Sequence, residues 1–222
     1  MLMSLRNFHA EGLERDDPKT LPNALTVTRA VGGFALGVAL GLNEIDAQTA
    51  AIIAGVLAAT DAEGSLISAT DKYPSLQEKL RIWPSDWGRK GDPTADKVFA
   101  ISVFLGGIAG GFIPKQYGAG VVAAEVATMA ASGIARLRGN EPEVSKVGKA
   151  GMVARCIAIS SFLISAAAEK TEAADVFMKI GEYSAVAAIG LGLASATIIA
   201  KNYWKKRNDK KQQLKTGADE RT

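Results

Sequence analysis

Apolar residues in this chain are gathered into long blocks rather than spread as stripes, and short charge-dense stretches separate the blocks. The blocks lie at about 21–42, 47–69, 93–113, 116–138, 150–168 and 181–201 and are rich in Ala, Val, Ile and Gly. A helix needs about 20 residues to cross a hydrocarbon core, so the pattern predicts an all-α, polytopic membrane protein with six transmembrane helices. A soluble bundle of buried Ala-rich helices is the competing reading. Glycine weighs against it, because Gly106-Gly107 with Gly110-Gly111, and Gly190 with Gly192, fall inside the blocks. Gly in the interior of a soluble helix costs about 1 kcal/mol, whereas in a bilayer small residues let helices approach closely.

Charge placement then orients the blocks. With six spans, one side of the membrane carries both termini. It holds Arg6, Arg15 and Lys19, the 70–90 loop with Lys72, Lys79, Arg81, Arg89 and Lys90, the group Arg136, Arg138, Lys146 and Lys149, and the Lys/Arg-rich stretch after Lys201. The opposite side holds Lys115, Lys170 and Lys179. Basic residues accumulate on the cytoplasmic side, so both termini and the 70–90 loop are expected there. The organisation that follows is a tail or interfacial helix over 1–20, a membrane domain over 21–201 and a basic cytoplasmic tail over 202–222.

The remaining composition adds little. Mean hydropathy is only +0.10, an average over two populations. The single cysteine, Cys156, cannot form an internal disulfide, and no cleavable signal peptide is expected, since the first block follows roughly twenty polar residues. His9, the only histidine, lies among charged residues and reads as solvated. Tyr73, Trp83 and Trp87 among basic residues suit an anchor at headgroup level. The basic tail suits anionic lipid or plain solvation; no recognition fold for nucleic acid accompanies it.

Candidate chemistry concentrates between Thr60 and Lys97. Asp92 and Asp96 are four apart and so share one helical face. Asp61 comes from the preceding apolar block. Ionisable groups at membrane-helix ends usually face the bundle interior and bind ions or do chemistry. These aspartates are read as holding a divalent metal over a lipid-facing active site. A transporter with a midplane ion site fits less well, since no pair of Gly/Pro-broken segments occupies corresponding halves.

The spacing Gly88-x3-Asp92-x3-Asp96, preceded by Thr60-Asp61, resembles the CDP-alcohol phosphatidyltransferase family, whose motif reads D-x2-D-G-x2-A-R followed by G-x3-D-x3-D. Pro22-Asn23-x-Leu25-Thr26-x2-Arg29 looks like that family's entry into its first helix, and Gly148-Lys149 resembles the phosphatidylglycerophosphate synthase branch. The first half of the motif departs from the pattern, with Gly64 where the second aspartate should stand; an alternative alignment makes Glu63 the second acid. The resemblance implies metal-dependent transfer of a phosphatidyl group from CDP-diacylglycerol to a small alcohol, with release of CMP. It makes Asp61, Asp92 and Asp96, with Glu63 as a further candidate, ligands of Mg2+ or Mn2+, and Asp96 also the general base. Asn23, Thr26, Arg29, Thr60 and Gly88 would bind the donor. The cationic group Arg136, Arg138, Lys146 and Lys149 would bind an acceptor phosphate such as that of glycerol 3-phosphate. A homodimer is implied, as is the alternative of a catalytically silent relative acting as membrane scaffold or lipid-binding subunit.

Overall fold

The structure, a computed structural model, describes residues 20–60, 73, 75, 79, 86–140, 145–169 and 171–219. The expected Asp61, Glu63 and Trp83, and the tail before residue 20 with His9, lie outside the described residues. Among those described there are six helices and no strand: α1 (Leu21–Gly41), α2 (Ala47–Ala59), α3 (Asp86–Ala109), α4 (Lys115–Leu137), α5 (Lys146–Ala167) and α6 (Glu172–Asp219).

Local chemistry sets the helix ends. The Thr20 hydroxyl accepts the Asn23 N–H at 3.3 Å at the head of α1, and Ser145 accepts from Gly148 at 3.0 Å at the head of α5. Asp46 caps α2, accepting the Thr49 N–H at 2.9 Å and its hydroxyl at 2.7 Å. These bonds favour the ionised carboxylate and hold Asp46 below its ordinary value. Two helices stop in the same way. Asn43 (φ 55°) follows α1 while Glu44 N–H reaches Ala39 O at 2.9 Å, and Gly139 (φ 76°) follows α4 while Asn140 N–H reaches Ala135 O at 3.0 Å. Both are left-handed caps that satisfy the last carbonyls.

Among the described residues, four helices are long and apolar enough to cross a membrane: Leu21–Gly41, Lys115–Leu137, Lys146–Ala167 and Glu172–Asn208 within α6. The other two expected spans have a different form. Helix α2 has 13 described residues. Helix α3 starts two turns before the apolar block, so the charged run Arg89-Lys90-Gly91-Asp92 is already helical and only the part after Lys97 is apolar. Helix α6 outruns its block in both directions; 48 residues at about 1.5 Å each is more than twice the thickness of a hydrocarbon core.

Helix α1 turns polar residues inward and apolar ones outward. Asn23, Thr26 and Arg29 are buried, while Val27, Val31, Phe34, Val38 and Leu42 are exposed at spacings of three and four. A soluble amphipathic helix shows the opposite distribution. An apolar outer face matches a helix whose surroundings are hydrocarbon.

By packing, the chain divides into two units, residues 1–35 with 56–99 and residues 36–55 with 100–222. In the first, Gly32 faces Leu57, and Gly33 lies so close to α3 that a β-carbon there would come 2.8 Å from Phe99 Cα. In the second, a β-carbon on Gly106 would fall onto the Gly37 carbonyl, so only glycine permits this crossing. The same unit has α6 lying along both α4 and α5. Thr128 donates to Ala124 O at 2.8 Å and to Gly192 O at 3.2 Å, and Tyr117 stacks on Phe162 with centroids 6.2 Å apart.

Candidate active site

The first unit gathers polar side chains from three helices. The Thr20 cap fixes where α1 begins, and Pro22 is tolerated because the first turn has no N–H bonds to lose. Asn23, Thr26 and Arg29 then follow at intervals of three, which keeps them on one side of the helix. Helix α2 leads into Thr60, whose hydroxyl donates to Leu57 O at 2.6 Å and accepts from Arg29 Nε at 3.1 Å. On α3, Asp92 and Asp96 stand one turn apart with Pro93 between them.

These groups meet in register. The Thr26 hydroxyl donates to Asp92, sharing its proton with the Pro22 carbonyl at 3.1 Å, and one turn deeper Arg29 forms an ion pair with Asp96. Arg29 is 1% exposed and Asp96 19%. A guanidinium buried to that degree is stable only when paired and hydrogen-bonded. Its bonds to Asp96 and Thr60 make it the tie between α1, α2 and α3. Asp96, by contrast, keeps an accessible side, and Asp92 is likewise only part-buried.

Electrostatically the cluster sets two carboxylates against one guanidinium, a net formal charge of −1. That balance and the hard oxygen donors suit a cation such as Mg2+ or Mn2+, which is commonly bound through one or two carboxylates plus substrate phosphates. Among the described residues no group of three or more His, Cys, Asp and Glu comes together. Asp92 and Asp96 are thus the part of the expected ligand set that the structure displays. The expected donor residues Asn23, Thr26, Arg29 and Thr60 join them in this unit, and Gly88 is in the first turn of α3.

The expected acceptor group belongs to the second unit. Arg136 and Arg138 end α4, Lys146 and Lys149 begin α5, and all four are exposed. Arg138 donates to the Tyr203 hydroxyl and lies over that ring, 5.5 Å from its centroid.

One pair was not anticipated. Glu125 near the middle of α4 and Arg155 near the middle of α5 form an ion pair, with Glu125 only 3% exposed and Arg155 13%. The signal was present, since Glu125 is the only acid in its apolar block and Arg155 the only charge in its own.

In a comparison with protein families, the profile described as CDP-alcohol phosphatidyltransferase aligns with residues 81–199, more than half of the chain. No curated protein sequence matches. The match takes in Asp92 and Asp96, the Arg136 to Lys149 group and the Glu125–Arg155 pair.

Proposed function

This chain belongs to the CDP-alcohol phosphatidyltransferase family, and from that premise we propose that it is an integral membrane enzyme of phospholipid synthesis. It moves the phosphatidyl group of CDP-diacylglycerol onto a small alcohol, for which glycerol 3-phosphate is the best candidate, and releases CMP. The observation that carries this reading is the Asp92/Asp96 pair, held on one turn of α3 by Thr26 and Arg29 and left partly accessible.

The residues divide the work by position. Asp92 and Asp96, with Asp61 as third ligand and Glu63 as a reserve, would hold Mg2+ or Mn2+. Bound there, the cation would neutralise the diphosphate and polarise the attacked phosphorus. Thr26 orients Asp92, and Arg29 orients Asp96 through their ion pair. Asp96 takes the proton of the acceptor hydroxyl as its oxygen bonds to the lipid-linked phosphorus and the bond to the CMP oxygen breaks. Thr60, Asn23 and Gly88 line the donor, with Gly88 allowing close approach to the backbone. Arg136, Arg138, Lys146 and Lys149 attract the acceptor phosphate. Six spans with both termini and the site on the cytoplasmic side, and a homodimer, complete the reading.

A second reading has support of its own: Arg29 already neutralises one carboxylate of the pair, and Gly64 stands where the family motif has an aspartate. In that reading the protein is a silent relative that binds lipid or partner proteins. One assay separates the two. Purified protein with CDP-diacylglycerol, glycerol 3-phosphate and Mg2+ should release CMP, and Asp96→Asn should not. Absence of release from wild type across a panel of acceptors and both metals would leave the silent reading standing.

A further inference from the structure

The outer surface of α6 changes character along its length. Val186, Leu193 and Trp204 are all exposed, and their spacings of seven and eleven are close to whole helical turns, so they form one line down the helix. Valine and leucine suit hydrocarbon; at Trp204 the line reaches an indole with basic neighbours. Lys201 and Lys205 are exposed and, at about 3.6 residues per turn, share about a third of the circumference with Trp204, away from the buried Tyr203. Lys206 is exposed next to that arc.

Contacts fix the level of this group within its unit. The Tyr203 hydroxyl accepts from Arg138 at the end of α4, so the last turn of α4, where Leu137 is exposed, stands level with residues 201–207 of α6. Arg207 lies over the Trp204 ring at 5.1 Å and Tyr203 meets that ring edge-on at 5.9 Å. The indole is held from two sides and open on the rest. Trp and Tyr gather where hydrocarbon gives way to water. Among the described side chains of this end, in the last turn of α4, the first turn of α5 and residues 201–208 of α6, none is acidic.

We propose that Lys201, Lys205 and Lys206, grouped around Trp204, form a headgroup-level site for an anionic phospholipid. Charge complementarity and the line on α6 select this occupant together. Solvation alone requires no aromatic here, and an acidic soluble protein has no use for an indole in register with Leu193 and Val186. A phospholipid supplies both an anionic phosphate for the lysines and an apolar chain that runs past Trp204 along that line. The lysine stems let the ammonium groups reach headgroup level, and each base near an anionic surface contributes about fivefold in occupancy. These four residues have no part in the transfer proposed above, so the site stands or falls apart from it.

The test is quenching of Trp204 in full-length protein in phosphatidylcholine nanodiscs, with its signal taken as the difference between wild type and Trp204→Phe. A minor fraction of phosphatidylglycerol bearing a nitroxide on the upper part of one chain should quench that signal several times more strongly than the same fraction of phosphatidylcholine bearing the same nitroxide. Lys201→Gln with Lys205→Gln and Lys206→Gln should bring the two lipids to equality, whereas Lys201→Arg with Lys205→Arg and Lys206→Arg should retain the preference. Equal quenching by the two lipids in wild type, or a preference that survives the glutamine changes, overturns the proposal. So does absence of quenching by either lipid, which puts Trp204 in water and leaves the lysines to solvent or to an acidic soluble partner. The wild-type comparison decides even if a triple variant does not fold.

Discussion

At the scale of single residues, the polar cluster of α1 and α3 behaves as a set of orienting bonds around two acids. Asp96→Asn keeps the shape but cannot accept a proton, so kcat/KM for CMP release should fall by at least ~100-fold, the usual weight of a general base. Thr26→Val keeps the volume and removes the bond to Asp92. Loss of an outer partner of a metal ligand typically costs 10- to 100-fold in affinity, so the Mg2+ concentration for half-maximal CMP release should rise by about that factor; an unchanged Mg2+ dependence would remove Thr26 from the site. Arg29→Ala should act differently. It leaves Asp96 without its buried guanidinium partner and Thr60 without the Arg29 donor, a loss of about 3–5 kcal/mol in stability, seen as reduced monodisperse yield.

At the scale of elements, helix crossings and caps decide. Gly106 lies against the Gly37 carbonyl, whereas a β-carbon at Gly133 meets nothing within 4 Å. Gly106→Leu should therefore destabilise by about 1–3 kcal/mol or more and Gly133→Leu should be neutral, compared by thermal unfolding in detergent. The α4–α5 ion pair offers a sharper contrast. Glu125→Leu alone leaves the part-buried Arg155 without its carboxylate and should cost about 3 kcal/mol, while Glu125→Leu with Arg155→Met should recover much of it. Asp46 gives the pH test. Its carboxyl is depressed by the Thr49 bonds, so its contribution to α2 is complete above the ordinary value of 3.8 and is lost as pH falls through the lower, folded value. Asp46→Ala should lower the thermal midpoint at neutral pH and make no difference well below pH 3.8.

At the scale of the whole molecule, the proposed topology of six spans with cytoplasmic termini makes a prediction. In a Cys156→Ala background, cysteines at Glu44 and Glu169 should react with an impermeant maleimide from one side of the membrane, and cysteines at Asn140 and Lys215 only from the other. Any other partition would refute six spans with cytoplasmic termini. The length of α6 bears on the same question, because its helix runs on through the basic stretch that follows Lys201. Lys205, Lys206 and Arg207 are thereby set on a helix rather than a loose tail, with Arg207 over the Trp204 ring at 5.1 Å.

Sequence alone determined the helical class, because blocks of apolar residues near membrane length have few other solutions, and it placed Asp92 and Asp96 on one face, because a spacing of four is a property of any α-helix. It also picked out Asn23, Thr26, Arg29 and Thr60, through the resemblance of the first helix and the aspartate motif. Partners were decided only in three dimensions. That Thr26 serves Asp92, Arg29 serves Asp96 and Thr60, and Glu125 meets Arg155 depends on how helices distant in the chain cross. Those crossings are set by glycines and small side chains whose close approach no local pattern encodes.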